Sequence, residues 1–336
     1  MMKGYLAIIA ASLLYGIMPV LSKLLLLEGM NSSSIVVWRF CFSTVFCLAI
    51  MLIKKIPFQA TPRQIGVMIV VGILGFGMTA TLVTAAYNYI PVGLATMFQF
   101  SYPLFVLIIM VILTKEKIGA LRAVAVAFLA VGLVLMMDFS GGANYTGIAL
   151  ALLSGVTYAF YVVSNQRSCF RMLDGFTTMF YAMVASSIFF TLQSLVSGQL
   201  MAPPTPKSWL LAMIIGLFCT VFSLRLLLYG ISVLGASNAS ILNILEPLTS
   251  LISGALIYGD QLSIPTMIGC GLVILAILLV SLAGKISQNK TKQRKNSLNR
   301  LGLNLETSCL AAFVKYNLWE KAPARMCFFA DALLFA

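Results

Sequence analysis

Long apolar stretches alternate with short polar segments along the first 284 residues of the chain. A helix rises about 1.5 Å per residue, so about 20 apolar residues cross the ~30 Å hydrocarbon core of a bilayer. Backbone amides cannot stay unpaired in hydrocarbon, so each stretch is predicted to be a helix. The pattern therefore predicts an all-α integral membrane protein with ten transmembrane helices, at residues 4–26, 34–53, 64–86, 92–113, 119–138, 145–167, 174–198, 208–229, 235–258 and 263–283.

Two of these stretches carry the same arrangement of polar residues and prolines, 144 positions apart. Gln99 and Pro103 lie in the fourth stretch, and Asn243 and Pro247 lie at the corresponding places in the ninth. In both copies an acidic residue follows 13 positions after the proline. An internal repeat of membrane helices is typical of proteins in which two similar halves enclose a central binding site.

The repeat divides the chain into a first five-helix half, residues 1–138, and a second five-helix half, residues 145–284, followed by a basic tail at 285–336 to which we assign no role. Because five is an odd number, the second half must cross the membrane in the opposite orientation, which makes the halves inverted repeats. Eight basic residues lie on the side of the N-terminus, and two lie on the other. This bias predicts that both termini are cytoplasmic.

Composition supports the membrane assignment and argues against several kinds of chemistry. Of 336 residues, 61% are hydrophobic and 9% are charged, whereas soluble domains carry about 25% charged residues. The net charge of +13 suits cytoplasmic helix ends and a tail segment, Lys290–Lys295, that would contact anionic headgroups rather than nucleic acid. The chain has no histidine, no cysteine pair with metal-ligand spacing and no glycine-rich phosphate loop. We therefore expect no metal, no cofactor and no enzymatic activity, and the oligomeric state is left open.

Glu246 is the carboxylate placed deepest in a predicted span, about halfway along the ninth helix and directly before Pro247. A carboxylate at that depth is costly, so it should face the bundle interior or a water-filled cavity and be either partnered or protonated. One interpretation is a ligand for a substrate amine or a proton-coupling site. The other is a structural ion pair, or a protonated glutamic acid that packs between helices.

Glu246 belongs to one of two matching polar faces. Gln99 and Tyr102 in the fourth helix correspond to Asn243 and Glu246 in the ninth, and the i, i+3 spacing of each pair places it on one helix face. Both faces lie near mid-membrane and just ahead of equivalent prolines, which can act as hinges. Either the two faces line a central cavity together, or they form separate interhelical hydrogen bonds.

Tyrosines of the first and sixth helices, Tyr15, Tyr158 and Tyr161, are aromatic candidates for the same cavity. Tyr15 lies 11 positions after Gly4, and Tyr158 lies 11 positions after Gly147, so the first helices of the two halves match. The alternative is that these rings pack in the core or face lipid. The predicted substrate-binding residues are therefore Tyr15, Gln99, Tyr102, Tyr158, Asn243 and Glu246.

Three cationic residues, Lys23, Arg39 and Arg225, lie in or near predicted spans. Each lies near a helix end, and long basic side chains there usually extend to the lipid headgroups. Trp38, a residue type enriched at membrane interfaces, precedes Arg39 and favours this interpretation. We expect all three to reach the headgroups.

Glycines in the third and tenth helices permit close contact between helices. They are Gly72, Gly75, Gly77, Gly269 and Gly271. We interpret them as packing positions that identify no ligand.

The order and spacing of these features resemble those of EamA-type transporters of the drug/metabolite transporter superfamily, over about residues 1–284. The motifs that carry the resemblance are Trp38-Arg39-Phe40, Leu245-Glu246-Pro247, and the acidic loops Thr114-Lys115-Glu116-Lys117 and Tyr258-Gly259-Asp260-Gln261. The resemblance implies an inner-membrane carrier, often an exporter of amino acids or related small metabolites, that works by alternating access. It also implies a central cavity lined by helices one, three, four, six, eight and nine. The long tail departs from the family's usual short basic ending.

We therefore expect a secondary transporter, an exporter of small organic metabolites, with the substrate at mid-membrane between the halves and the lipid bilayer as its other partner. The sequence carries no ATP-binding motif, so the energy would come from an ion or solute gradient or from downhill efflux. A lipid or lipid-carrier flippase is the alternative; it needs a lateral opening and a basic headgroup site, for which Arg225 or Lys23 could serve. A membrane enzyme or a scaffold fits less well, because the chain lacks histidine and scaffolds need no matched polar faces.

Overall fold

The computed structural model describes residues 2–114, 119–136, 144–169, 173–234, 242–260, 263–279 and 282, and within these ranges the chain forms helices joined by short turns, with no strand. The expected start of the ninth span at 235–241, Glu116, and the tail at 285–336 lie outside the described residues. The helices are α1 (Met2–Leu27), α2 (Ser32–Lys54), α3 (Pro62–Ala86), α4 (Val92–Gln99, then Tyr102–Thr114), α5 (Ala120–Met136), α6 (Tyr145–Arg167), α7 (Gly175–Val196), α8 (Pro206–Gly216, Leu217–Phe222 and Ser223–Leu234 in succession), α9 (Leu245–Tyr258) and α10 (Ile264–Leu279).

Seven of these helices are long and apolar enough to cross a membrane: α1, α2, α3, α4, α6, α7 and α8. The described parts of α5, α9 and α10 contain shorter apolar helices of 10 to 17 residues. The chain is therefore an all-α, multi-pass membrane protein.

The two matched prolines, Pro103 and Pro247, each lie in the first turn of a helical segment. The first part of α4 ends at Gln99, and its second part begins at Tyr102 with Pro103 in its first turn. Likewise α9 begins at Leu245, directly after Asn243, with Pro247 in its first turn. Proline lacks an N–H and is tolerated in the first turn of a helix, where that group has no intrahelical acceptor. Each polar face therefore lies beside a helix break rather than within a continuous helix.

Two π-helical segments interrupt α3 and α8. They span Val71–Gly77 and Leu217–Phe222, and a shift of 144 residues makes them overlap. Short π-helical segments inside α-helices occur frequently at functional sites. The segments are a second structural feature, besides the prolines, that the two halves share.

The halves pack on each other reciprocally: α1 packs mainly on α8 and α9, whereas the corresponding helix α6 packs on α3 and α4. Corresponding helices also meet across the centre, and they run antiparallel. In α4 and α9, a Cβ at Gly254 would lie 3.5 Å from Gly93 N, and Thr96 Oγ1 lies 2.9 Å from Ser250 Oγ. In α2 and α7, Cys41 contacts Ser187 and Cys47 contacts Phe176, so a later residue of α2 meets an earlier residue of α7.

Close approaches at glycine explain part of this packing. A Cβ at Gly72 would lie 2.7 Å from Ala182 Cα of α7, and Gly75 and Gly77 are equally restricted by side chains of α6 and α7. Gly269 faces Gly132 of α5, since its Cβ would lie 2.6 Å from that residue's carbonyl oxygen. The packing interpretation is confirmed for these glycines. It is wrong for Gly271, since a Cβ added there would meet no atom of a neighbouring helix within 4 Å in the described structure.

Candidate functional site

A central cavity lies between α1, α2, α3, α4, α6, α7, α8 and α9, with about 120 Å³ that water molecules can enter. All six predicted site residues line it: Tyr15, Gln99, Tyr102, Tyr158, Asn243 and Glu246. The two polar faces therefore meet at one cavity rather than at separate interhelical contacts. Helices α2 and α7 also contribute, through Arg39, Met179, Ala182 and Met183.

Glu246 is held by a chain of hydrogen bonds that links α9 to α1. Asn243 Nδ2 donates to Glu246 Oε2 at 3.1 Å, and Ser12 Oγ donates to Asn243 Oδ1 at 3.2 Å. Within the described ranges, no basic group lies within 4 Å of the Glu246 carboxylate. The structural ion pair considered above is therefore wrong for this part of the chain. The carboxylate lines the cavity and keeps acceptor capacity for a ligand.

An aromatic row also lines the cavity, and it consists of Phe76, Tyr161, Tyr158, Tyr102 and Phe100. The centroids of neighbouring rings are 4.8 to 6.1 Å apart, and the closest pair is Tyr102 and Tyr158. Rings at these separations attract one another beyond simple burial. The row gives the site a rigid apolar wall.

Arg39 corrects an expectation, because its side chain does not reach the headgroups. The residue is 7% exposed and lines the cavity, and its Nε donates to Thr220 Oγ1 at 3.2 Å. Trp38 packs on Trp209, and its indole N–H donates to the carbonyl of Met201. Consecutive helix residues point about 100° apart, so this packing of Trp38 leaves Arg39 facing the cavity.

Lys23 also differs from expectation. Its ammonium donates to the carbonyl of Tyr87, at the C-terminal end of α3, where positive charge is favourable. Asp260 lies nearby, and burial raises the pKa of its carboxyl while the Lys23 charge opposes that rise. Arg225 is exposed, with its guanidinium 5.4 Å from the Phe176 ring centroid, and its extension to the headgroups stays a prediction.

Sequence reasoning missed several polar residues of the cavity besides Arg39. They are Thr79, Tyr87, Thr96 and Thr220. Thr220 lies in the π-helical segment of α8, where its hydroxyl donates to the carbonyl of Ile215 at 2.9 Å, and Phe76 occupies the equivalent place in α3. The sequence gives no signal for these positions, and of the four only Thr220 lies in a π-helical segment.

The two ends of the bundle differ. A second cavity of about 150 Å³ lies where α6, α7 and α8 meet, and it shares Tyr161, Met179 and Leu224 with the central cavity. It therefore lies between the central cavity and the start of α7. At the opposite end the Tyr258 hydroxyl donates to the carbonyl of Val20 at 2.6 Å.

The same opposite end is closed by a charged contact between loops. Lys207 lies 2.6 Å from Glu28, and this hydrogen bond holds the pKa of the Glu28 carboxyl below its usual range. Thr205 also donates to Glu28, at 3.3 Å. These contacts tie the segment between α1 and α2 to the start of α8.

The sequence matches the EamA-like transporter family over residues 2–138 and again over 145–282, and the chain belongs to that family. Its relatives include an uncharacterized transporter of Archaeoglobus fulgidus, 28% identical over 239 residues, which are 71% of this chain and 84% of the relative. The uncharacterized transporter YojE of Bacillus subtilis is 24% identical over 309 residues, 88% of this chain and 97% of YojE. A solved crystal structure has a similar fold, with a TM-score of 0.61 and 16% identity over 84% of this chain and 97% of that chain.

The family and these relatives identify the chain as a membrane transporter and not an enzyme. The double family match also shows that the chain is built from a duplicated unit. A transporter in a bilayer needs a small-molecule substrate, and the central cavity is where the two units meet.

Proposed function

We propose that the protein is a secondary transporter that exports small organic metabolites, such as amino acids or related compounds, by alternating access. Its two halves, residues 1–138 and 145–284, would form ten transmembrane helices as inverted five-helix repeats. The observation that carries the proposal is the central cavity, because both halves line it and a carboxylate projects into it.

Antiparallel contacts support the inverted arrangement. Equivalent helices related by an axis in the membrane plane run antiparallel where they meet, whereas an axis along the membrane normal would make them parallel. Both central pairs, α2 with α7 and α4 with α9, are antiparallel.

The place of the second cavity supports export. If the positive-inside rule holds for this chain, the α6–α7 loop is cytoplasmic. The second cavity then lies on the cytoplasmic side of the central one, where an exporter takes up its solute, while contacts such as Tyr258 with Val20 join helices at the other side. A second state would open that side and close the first.

The six predicted residues would form the binding site, with Glu246 as the ligand of a substrate amine. A carboxylate fixed by Asn243 keeps a lone pair for an ammonium group, and such charge-assisted hydrogen bonds are about twice as strong as neutral ones. The aromatic row would contact the apolar part of the solute.

A survey of soluble metabolites and lipids in cells that over-express the protein tests this function. We expect one amine-bearing metabolite to fall inside the cells and accumulate outside, and Glu246→Gln to abolish the change. Asp174→Asn is the matched control, since Asp174 caps the start of α7 without lining the cavity, and an asparagine there retains the cap and should leave export intact. Export by Glu246→Gln at the normal rate would remove Glu246 from the site. A changed lipid profile with unchanged soluble metabolites would replace the proposal by a flippase.

A further inference from the structure

Arg39 is a buried cation that makes no salt bridge in the described structure, and the Glu246 carboxylate of the same cavity acts on it only from beyond salt-bridge distance. The side chain is 7% exposed, and no carboxylate of the described ranges lies within 4 Å of it. Burying an unpaired charge in a membrane protein is costly, and such residues line substrate or ion pathways. Arg39 therefore needs an explanation that the helix packing does not supply.

The contacts of Arg39 fix the position of the guanidinium but use only one of its nitrogens as a hydrogen-bond donor. Only Nε has a hydrogen bond in the described structure, to Thr220, while the group lies 5.6 Å from the Phe40 ring centroid and 6.0 Å from that of Phe76. Because Arg39 lines the cavity, its two terminal nitrogens remain available to bind a ligand there. A guanidinium fixed in this way presents a planar fork that matches a carboxylate or phosphate.

The positive charge of Arg39 has no counterpart at the equivalent position of the second half. A shift of 144 residues takes Arg39 to Met183, and Tyr102 to Glu246, and all four residues line the cavity. The first half thus supplies only the positive charge at this pair of positions, and the second half supplies only the negative one. The cavity is dipolar.

We propose that Arg39 binds an anionic group of the transported solute, so that Arg39 and Glu246 together select zwitterions over simple amines. The inference rests on the proposed function and adds a second charged ligand to it. Thr220 is a positioning residue, because it acts on the solute only through the Arg39 guanidinium.

Three matched probes test the selection: leucine, 3-methylbutylamine, which lacks the carboxylate, and 4-methylpentanoate, which lacks the amine. Their affinities for the purified full chain in detergent are measured from the ligand-induced rise of the thermal unfolding midpoint. We expect leucine to bind at least about tenfold more tightly than either analogue, since a hydrogen bond to a charged group contributes about tenfold to hundredfold in affinity.

Substitutions then assign the preference to Arg39. Arg39→Met installs the residue of the equivalent position, and we expect the leucine-to-amine affinity ratio to fall to about one. Arg39→Lys should retain part of the ratio, and Thr220→Val should reduce it, so the test stands even where Arg39→Met fails to fold. Arg225→Met, at the exposed margin of α8, should leave it unchanged.

Three results would overturn the inference: an unchanged ratio in Arg39→Met, an amine that binds the wild type as tightly as leucine, or no binding of any probe by the wild type. Each leaves the proposed export standing, because the metabolite survey measures it without reference to an anionic group. Loss of export in that survey with intact selection among the probes would instead refute the transport direction.

Discussion

The close contact between α5 and α10 gives a stability prediction with a control on the same helix. Gly269 is buried, and a Cβ added there would lie 2.6 Å from the carbonyl oxygen of Gly132 and 2.8 Å from Met136 Cγ. Gly271, two residues further along α10, is exposed, with no atom within 4 Å of its added Cβ. Gly269→Ala and Gly271→Ala therefore differ in crowding but share the same change of residue.

The expected magnitude follows from these distances. Most real Cβ contacts exceed 3.4 Å, so α5 and α10 must separate by about 0.8 Å, from 2.6 to 3.4 Å, to accept a methyl group at Gly269. Overpacking of this kind costs about 1–3 kcal/mol. Alanine also improves helix propensity by up to about 1 kcal/mol, equally at both sites. Gly269→Ala should therefore be about 1–3 kcal/mol less stable than Gly271→Ala.

Thermal unfolding in one detergent measures the difference, with the fluorescence of the packed Trp38–Trp209 pair as a reporter remote from α10. A difference of 1 kcal/mol corresponds to about 1.5 °C in Tm for a chain of this length, because the entropy of unfolding grows with the number of residues. Equal midpoints for the two variants would refute the close α5–α10 contact. A lower midpoint for Gly271→Ala would show that the opposite face of α10 is covered.

Two further predictions concern loop carboxylates. Burial raises the pKa of the Asp260 carboxyl, so the fold disfavours its ionised form and stability falls as pH rises through the folded-state pKa. Asp260→Asn should therefore raise Tm more at pH 8 than at pH 4. An equal shift of Tm at both pH values would contradict this. Asp174 accepts a hydrogen bond from the backbone N–H of Phe176 at the start of α7, so Asp174→Ala should cost about 1 kcal/mol while Asp174→Asn retains most of the cap, and equal Tm losses for the two would rule out the capping role.

Much of the candidate site could be predicted because lipid makes polar residues informative. Glu246 and Asn243 interrupt an apolar segment, and their match to Tyr102 and Gln99 fixes which helix faces meet. Hydropathy also gives rough bounds for the seven helices that are long enough to cross a membrane. Substrate binding by these residues stays a prediction, since the structure shows only that they line one cavity.

Other features could not be predicted because they depend on how each helix is rotated against its neighbours. The same apolar sequence places Arg39 at the headgroups or in the interior, and packing of Trp38 on Trp209 decides between the two. The π-helical segment that holds Thr220 likewise has no composition signal, since its hydrogen-bond shift is set by tertiary contacts. The proline hinges expected within spans proved to be helix starts, because the chain breaks just before them.

Duplication and divergence have different consequences for this cavity. Because the two halves are built from the same repeated unit, each can adopt the conformation of the other, and the states open to either side of the membrane can have similar energies. The charged pair breaks that symmetry: Arg39 comes from the first half and Glu246 from the second. A solute that binds both groups contacts both halves, so its affinity depends on how the halves are placed. A ligand shifts a conformational equilibrium only through such a difference in affinity. A zwitterion held between Arg39 and Glu246 therefore couples occupancy of the cavity to rearrangement of the halves, whereas an amine bound to Glu246 alone has no contact with Arg39 through which to do so.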